Sequence, residues 1–171
     1  EMLGRYSIAL LTVTISSQVV NEWSRASILR FDSRYRDTDG YRSYLSNVFL
    51  APMLIGIILG LAGLLIGYSS ELFAGFRAYV GVCAAVFVIS ILDALLITLL
   101  RVRQQAKKFS VILLTKRFIA LIMGVGLIAV LGIGGEGLMY GMLISMAISV
   151  PLALRWASIR GGISFSKLSS T

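Results

Sequence analysis

Long apolar runs, broken by short polar stretches, divide the chain into five segments at about 6–24, 44–68, 78–100, 110–131 and 138–156. Each is near the ~20 residues that an α-helix needs to cross ~30 Å of hydrocarbon. The runs are continuous rather than alternating, so they predict helices and not the strands of a barrel. A bilayer enforces the same choice, because a helix satisfies every backbone N–H and C=O within one segment. The first run continues beyond residue 20 as a polar helix through Asn21, Glu22, Arg25 and Arg30 to Phe31. A hydrophilic link follows at 32–42, with Asp39-Gly40 as its turn signal. The glycine-rich link at 132–137 suits a tight hairpin between antiparallel helices. The pattern predicts an all-α, polytopic transmembrane helix bundle of about five spans over 1–156, with a polar tail at 157–171.

Small residues recur every fourth position inside these runs. Gly56/Gly60 and Gly63/Gly67 mark the second, and Gly137, Gly141, Ser145 and Ser149 form a stripe down the fifth. Such stripes let helices approach closely in lipid, so they predict packing contacts rather than a site.

Composition agrees with a membrane protein. A mean hydropathy of +0.88, 57% hydrophobic residues and only 14% charged residues exclude an ordinary soluble domain. The net charge of +8 resembles a nucleic-acid footprint until its distribution is considered. Fourteen of the 16 Lys and Arg residues fall in three clusters, at 25–42, 101–117 and 155–167, with only Arg5 and Arg77 elsewhere. Basic loops are retained on the cytoplasmic side. That rule places the N-terminus and the links at 69–77 and 132–137 outside, and the three basic clusters and the C-terminus in the cytoplasm. No nucleic-acid partner is expected.

The chain has no histidine, and Cys83 is its only cysteine. No metal site, cofactor or Ser–His chemistry is therefore expected. The Gly132–Gly137 stretch lacks the lysine of a phosphate-binding loop. The chain opens on Glu1 without a signal-peptide pattern, which suggests an excerpt of a longer protein. No enzymatic activity is expected.

The candidate functional residues are the ionisable groups inside or beside the apolar runs, because such groups are costly in a bilayer. Asp93 lies two turns before Arg101 in an otherwise apolar segment. It either pairs with a basic residue of a neighbouring helix, such as Arg117 or Arg25, or serves as a coupling-ion or proton site. Lys116 and Arg117 sit one to two turns inside the fourth run and point about 100° apart on a helix. Lys116 suits snorkelling to the interface. Glu22 and Arg25 have the i,i+3 spacing of a pair on one helix face. Arg25 and Arg30 could also line a vestibule for an anionic ligand, since a guanidinium binds two phosphate oxygens at once.

Several short motifs, in order, resemble one family. Trp23-Ser24-Arg25-Ala26-Ser27-Ile28-Leu29-Arg30-Phe31 is similar to the W-x-R-x-x-x-L-R-F signature of bacterial polysaccharide-biosynthesis flippases. These belong to the multidrug/oligosaccharidyl-lipid/polysaccharide exporter superfamily. Gly4-Arg5-Tyr6-Ser7 resembles the start of the family's second helix, and Arg101-Val102-Arg103 the stretch between its fourth and fifth. Gly134-Gly135-Glu136-Gly137 through Gly141 is similar to the opening of its sixth.

The resemblance implies half of a two-lobe transporter, holding helices two to six of a six-helix lobe. Its partners would be the missing first helix, the second lobe and membrane lipids. It implies a bacterial inner-membrane protein that moves an undecaprenyl-pyrophosphate-linked oligosaccharide, or a similar polysaccharide precursor, by alternating access. Arg25, Arg30 and Arg117 would be the substrate-binding cations, with Asp93 and Glu22 as charge partners or ion-coupling groups. Two other readings stay open: a drug or cation exporter of the same superfamily, and a non-transporting scaffold for glycan-synthesis enzymes.

Overall fold

The computed structural model of the chain describes residues 2–35, 38–71, 77–132 and 136–157. These residues form five helices: α1 (Met2–Tyr35), α2 (Tyr41–Ser69), α3 (Arg77–Val102), α4 (Ala106–Leu131) and α5 (Glu136–Trp156). The bundle is all-α, and four of the helices are long and apolar enough to cross a membrane. Those four are α2, α3, α4 and α5. The tail from residue 158 onward lies outside the described residues.

α1 differs from the expected pattern in two ways. It runs on to Tyr35, several residues into the predicted hydrophilic link. At 34 residues and ~1.5 Å per residue it is about 50 Å long, more than enough to cross a bilayer. It is nevertheless not among the helices apolar enough to count as a span. Polar residues dilute its apolar run: Thr12, Thr14, Ser16, Ser17, Gln18 and Asn21. Three of their hydroxyls are satisfied within the helix. Thr12 Oγ1 donates to Ile8 O at 2.9 Å, Thr14 Oγ1 to Leu10 O at 2.8 Å, and Ser17 Oγ to Thr14 O at 2.9 Å. Such back-bonding lets Ser and Thr sit in a helix away from water.

α3 is the centre of the bundle, packing against α1, α2 and α5. Its Ile91, Leu95, Leu96, Leu99 and Leu100 are fully buried. α4 packs along α5 and touches α3 only lightly. The small-residue stripes account for the close contacts. A Cβ on Gly67 would lie 2.7 Å from Val80 of α3, and one on Gly141 would lie 2.5 Å from the Gly124 backbone nitrogen of α4. Gly63 is the exception, with open space around it.

The links are short and sharply capped. α3 ends as Gln104 adopts a left-handed conformation, φ 54°, and the Gln105 N–H returns to Leu100 O at 3.1 Å. α4 ends on Gly132, also left-handed at φ 63°, a conformation that glycine adopts most readily.

The basic ends of the helices meet in one buried knot. The Arg103 guanidinium donates from Nη1 to Ala157 O, just past α5, and from Nη2 to the Tyr41 hydroxyl at the start of α2. Its Nε lies 3.9 Å from Asp32 Oδ2, near the end of α1. Tyr41 in turn donates to Asp32 Oδ1 at 2.8 Å. Tyr44 donates to Ser27 O at 3.0 Å and stacks on Tyr35, with ring centres 5.1 Å apart. One side chain from the α3–α4 turn therefore gathers α1, α2 and α5 at the same end of the molecule.

Candidate functional site

Polar stripes of the packed helices α1 and α3 line one cavity. On α1 the stripe is Thr14, Ser17, Gln18 and Arg25, and on α3 it is Ser90, Asp93, Thr98 and Arg101. Both follow the i, i+3, i+4 periodicity of one helix face. They line a cavity of about 270 Å³ that Lys116 of α4 and Met142 and Met146 of α5 complete. That is slightly below the ~300 Å³ at which pockets begin to enclose a drug-sized ligand. The space suits a small charged head rather than a whole glycan.

Asp93 is the charge at the centre of this wall and is 3% exposed. Its Oδ2 takes a direct hydrogen bond from Lys116 Nζ, which reaches across from α4. Its Oδ1 accepts from Ser149 Oγ of α5 at 3.3 Å, a hydroxyl shared with Met146 O at 3.2 Å. Asp93 thus joins three helices. Ser149, expected only as a packing residue, is also its hydrogen-bond donor. The expected partners of Asp93 were Arg117 or Arg25, and the structure gives Lys116 instead. The reason is helical phase: Lys116 lies on the α4 face toward α3, and Arg117, one residue on, points outward and is exposed. Lys116 therefore does not snorkel.

The remaining candidates separate. Arg25 lines the cavity and makes a loose ion pair with Glu22 at 3.7 Å. Glu22 is exposed and outside the cavity wall, so this pairing is a weak surface contact. Arg30 is exposed, with its guanidinium 5.3 Å from the centre of the Phe31 ring. Neither Arg30 nor Arg117 belongs to the cavity lining, whereas Arg101 does. The sequence marks Arg101 as a member of a basic cluster and of the Arg101-Val102-Arg103 motif, not as a site residue. Its guanidinium sits 5.2 Å from the centre of the Phe109 ring. The signal that finds it in sequence is the stripe Ser90, Asp93, Thr98, Arg101 at helical spacing.

Among the residues lining the cavity are three cations, Arg25, Arg101 and Lys116, and one carboxylate, Asp93, a balance of +2. Among the described residues there is no cluster of three or more His, Cys, Asp or Glu that could hold a metal ion. Deeper toward the basic end, α1 buries Asn21 and Ser24, at 1% and 0% exposure. The Asn21 amide and the Ser24 hydroxyl have no hydrogen-bond partner.

Neither family models, curated proteins nor solved structures yielded a match to this chain.

Proposed function

We propose that this bundle is one lobe of a membrane transporter that moves a lipid-linked oligosaccharide, or a similar polysaccharide precursor carrying a pyrophosphate, across the bacterial inner membrane. The carrying observation is a cavity with a +2 balance set inside an apolar bundle. Its Asp93 and Lys116 lie within apolar helices, where charges are expensive and are retained where they line a pathway or bind a substrate. Arg25, Arg101 and Lys116 attract the anionic head, and the hydroxyls and amide of Thr14, Ser17, Gln18, Ser90 and Thr98 offer partners to sugar hydroxyls. The polyprenyl tail stays in the bilayer. Completing the pathway falls to a second lobe that rocks against this one, as in alternating access. No covalent step is required.

The same balance disfavours the drug and cation exporter, for which carboxylates would outnumber cations. A scaffold has no need of a charged cavity.

Photo-crosslinking tests the reading. A benzoylphenylalanine at Gln18 or Thr98 is expected to capture a polyprenyl-diphosphate oligosaccharide in cells. The same group at Ile58, on the outer face of α2, is expected to capture ordinary phospholipid. Phospholipid alone at all three positions would overturn the flippase reading.

A further inference from the structure

We propose that Asp93 is the resting counter-ion of Lys116 and competes with an incoming phosphate-class anion for the same ammonium. The inference rests on the transporter reading only in treating the cavity as a ligand site.

The geometry of the pair carries it. Lys116 has three N–H donors, and Asp93 Oδ2 takes one. The lysine side chain is 17% exposed, against 4% for Asp93, so the ammonium keeps a side open to the cavity. Asp93 is held from behind by Ser149 Oγ and keeps that donor whichever anion Lys116 faces. Arg25 and Arg101 line the same cavity and add two cations that a bound anion would also meet. An oxyanion with two or more charges gains more from these three cations than a single carboxylate does. Asp93 opposes it by holding the ammonium that the anion would take.

This opposition has a use. A site that hands its ligand on must bind well enough to load and weakly enough to release. Three cations without a carboxylate would hold a pyrophosphate tightly. A fixed carboxylate lowers that affinity and re-forms the ion pair when the ligand leaves, so the emptied cavity does not keep an unpaired ammonium. Asp93 then sets affinity without touching the ligand through a favourable contact.

The two partners therefore have opposite effects on binding, which a purely structural salt bridge does not predict. The test is calorimetric titration of inorganic pyrophosphate into the full chain in nanodiscs of neutral lipid. Asp93→Asn is expected to tighten binding about tenfold, and Lys116→Gln to weaken it about tenfold. Arg117→Gln, outside the cavity, is expected to leave it unchanged. Asp93→Asn in the Lys116→Gln background is expected to recover little affinity, because the contested ammonium is gone. This double variant leaves neither member of the pair without its partner and covers the case in which a single variant fails to fold.

Weakened binding in both single variants would overturn the proposal, as would tightening by Asp93→Asn that persists in full without Lys116. Absence of pyrophosphate binding to both the wild type and Asp93→Asn would overturn it too. Pyrophosphate binding with the expected opposite effects, but no glycolipid in the crosslinking experiment, would sink the flippase reading and leave the counter-ion exchange standing.

Discussion

Arg103 illustrates how much one side chain can decide. Its guanidinium serves Ala157, Tyr41 and Asp32 together, and Asp32 is fully buried. Removing one member of a buried ion pair typically costs about 3–5 kcal/mol. Arg103→Gln is expected to lower stability by that order, read as a shift in the denaturant midpoint of the purified protein in micelles. Arg103→Lys is expected to recover little, since an ammonium on a flexible stem lacks the planar fork that reaches several acceptors at once. Arg117 is the contrasting case. It is exposed on the outer side of α4, so Arg117→Gln is expected to change stability by less than about 0.5 kcal/mol. A loss comparable to that of Arg103→Gln would mean that Arg117 has a partner within the bundle.

Large apolar side chains pack around α3, whereas α4 and α5 approach closely through small residues. α4 and α5 meet where Gly141 lies against Gly124 and Ala120, and a Cβ there would fall 2.5 Å from Gly124 N and 2.7 Å from Ala120 O. Both neighbours are backbone, which cannot move aside as a side chain can. Gly141→Ala is expected to push the two helices apart and destabilise the protein by about 1–3 kcal/mol. Gly63 belongs to the same kind of stripe in sequence but faces open space. Gly63→Ala is expected to be neutral or stabilising by up to about 1 kcal/mol, because alanine is the better helix former. Parallel unfolding curves for the two variants check both expectations. Equal effects would show that the α4–α5 contact is not what makes Gly141 necessary.

At the scale of the molecule, the buried knot lies at one end of the bundle, beside several basic residues. Arg30, Arg34, Arg42, Arg101 and Arg155 are exposed there, and the buried acid Asp32 is already engaged with Arg103 and Tyr41. The retention of basic loops predicts that this end faces the cytoplasm. In a Cys83→Ser background, a membrane-impermeant thiol reagent is expected to label a cysteine placed at Ser70 from outside. It is not expected to label one at Thr38 or Lys107 until the membrane is permeabilised. Outside labelling at Thr38 would reverse the orientation.

The apolar runs alone determined the class of the protein, because a segment of ~20 apolar residues has few stable alternatives to a membrane helix. The turns were legible for the same local reason: Asp39-Gly40 and Gly132 stand where the chain must reverse. Helix limits were less so. α1 outran its apolar segment to Tyr35, and α2 began at Tyr41 rather than near residue 44, because Tyr41, Tyr44 and Asp32 are tied to groups distant in sequence. Asp93 stood out in the sequence because a lone carboxylate in an apolar run must find a partner. Which partner it found was a tertiary matter. Lys116 and Arg117 are neighbours in sequence, and only the rotation of α4 relative to α3 decided that the first turns inward and the second outward. Arg101 was likewise one cation among many until α1 and α3 were brought together, since sequence spacing places a residue on a face and only packing decides what that face meets.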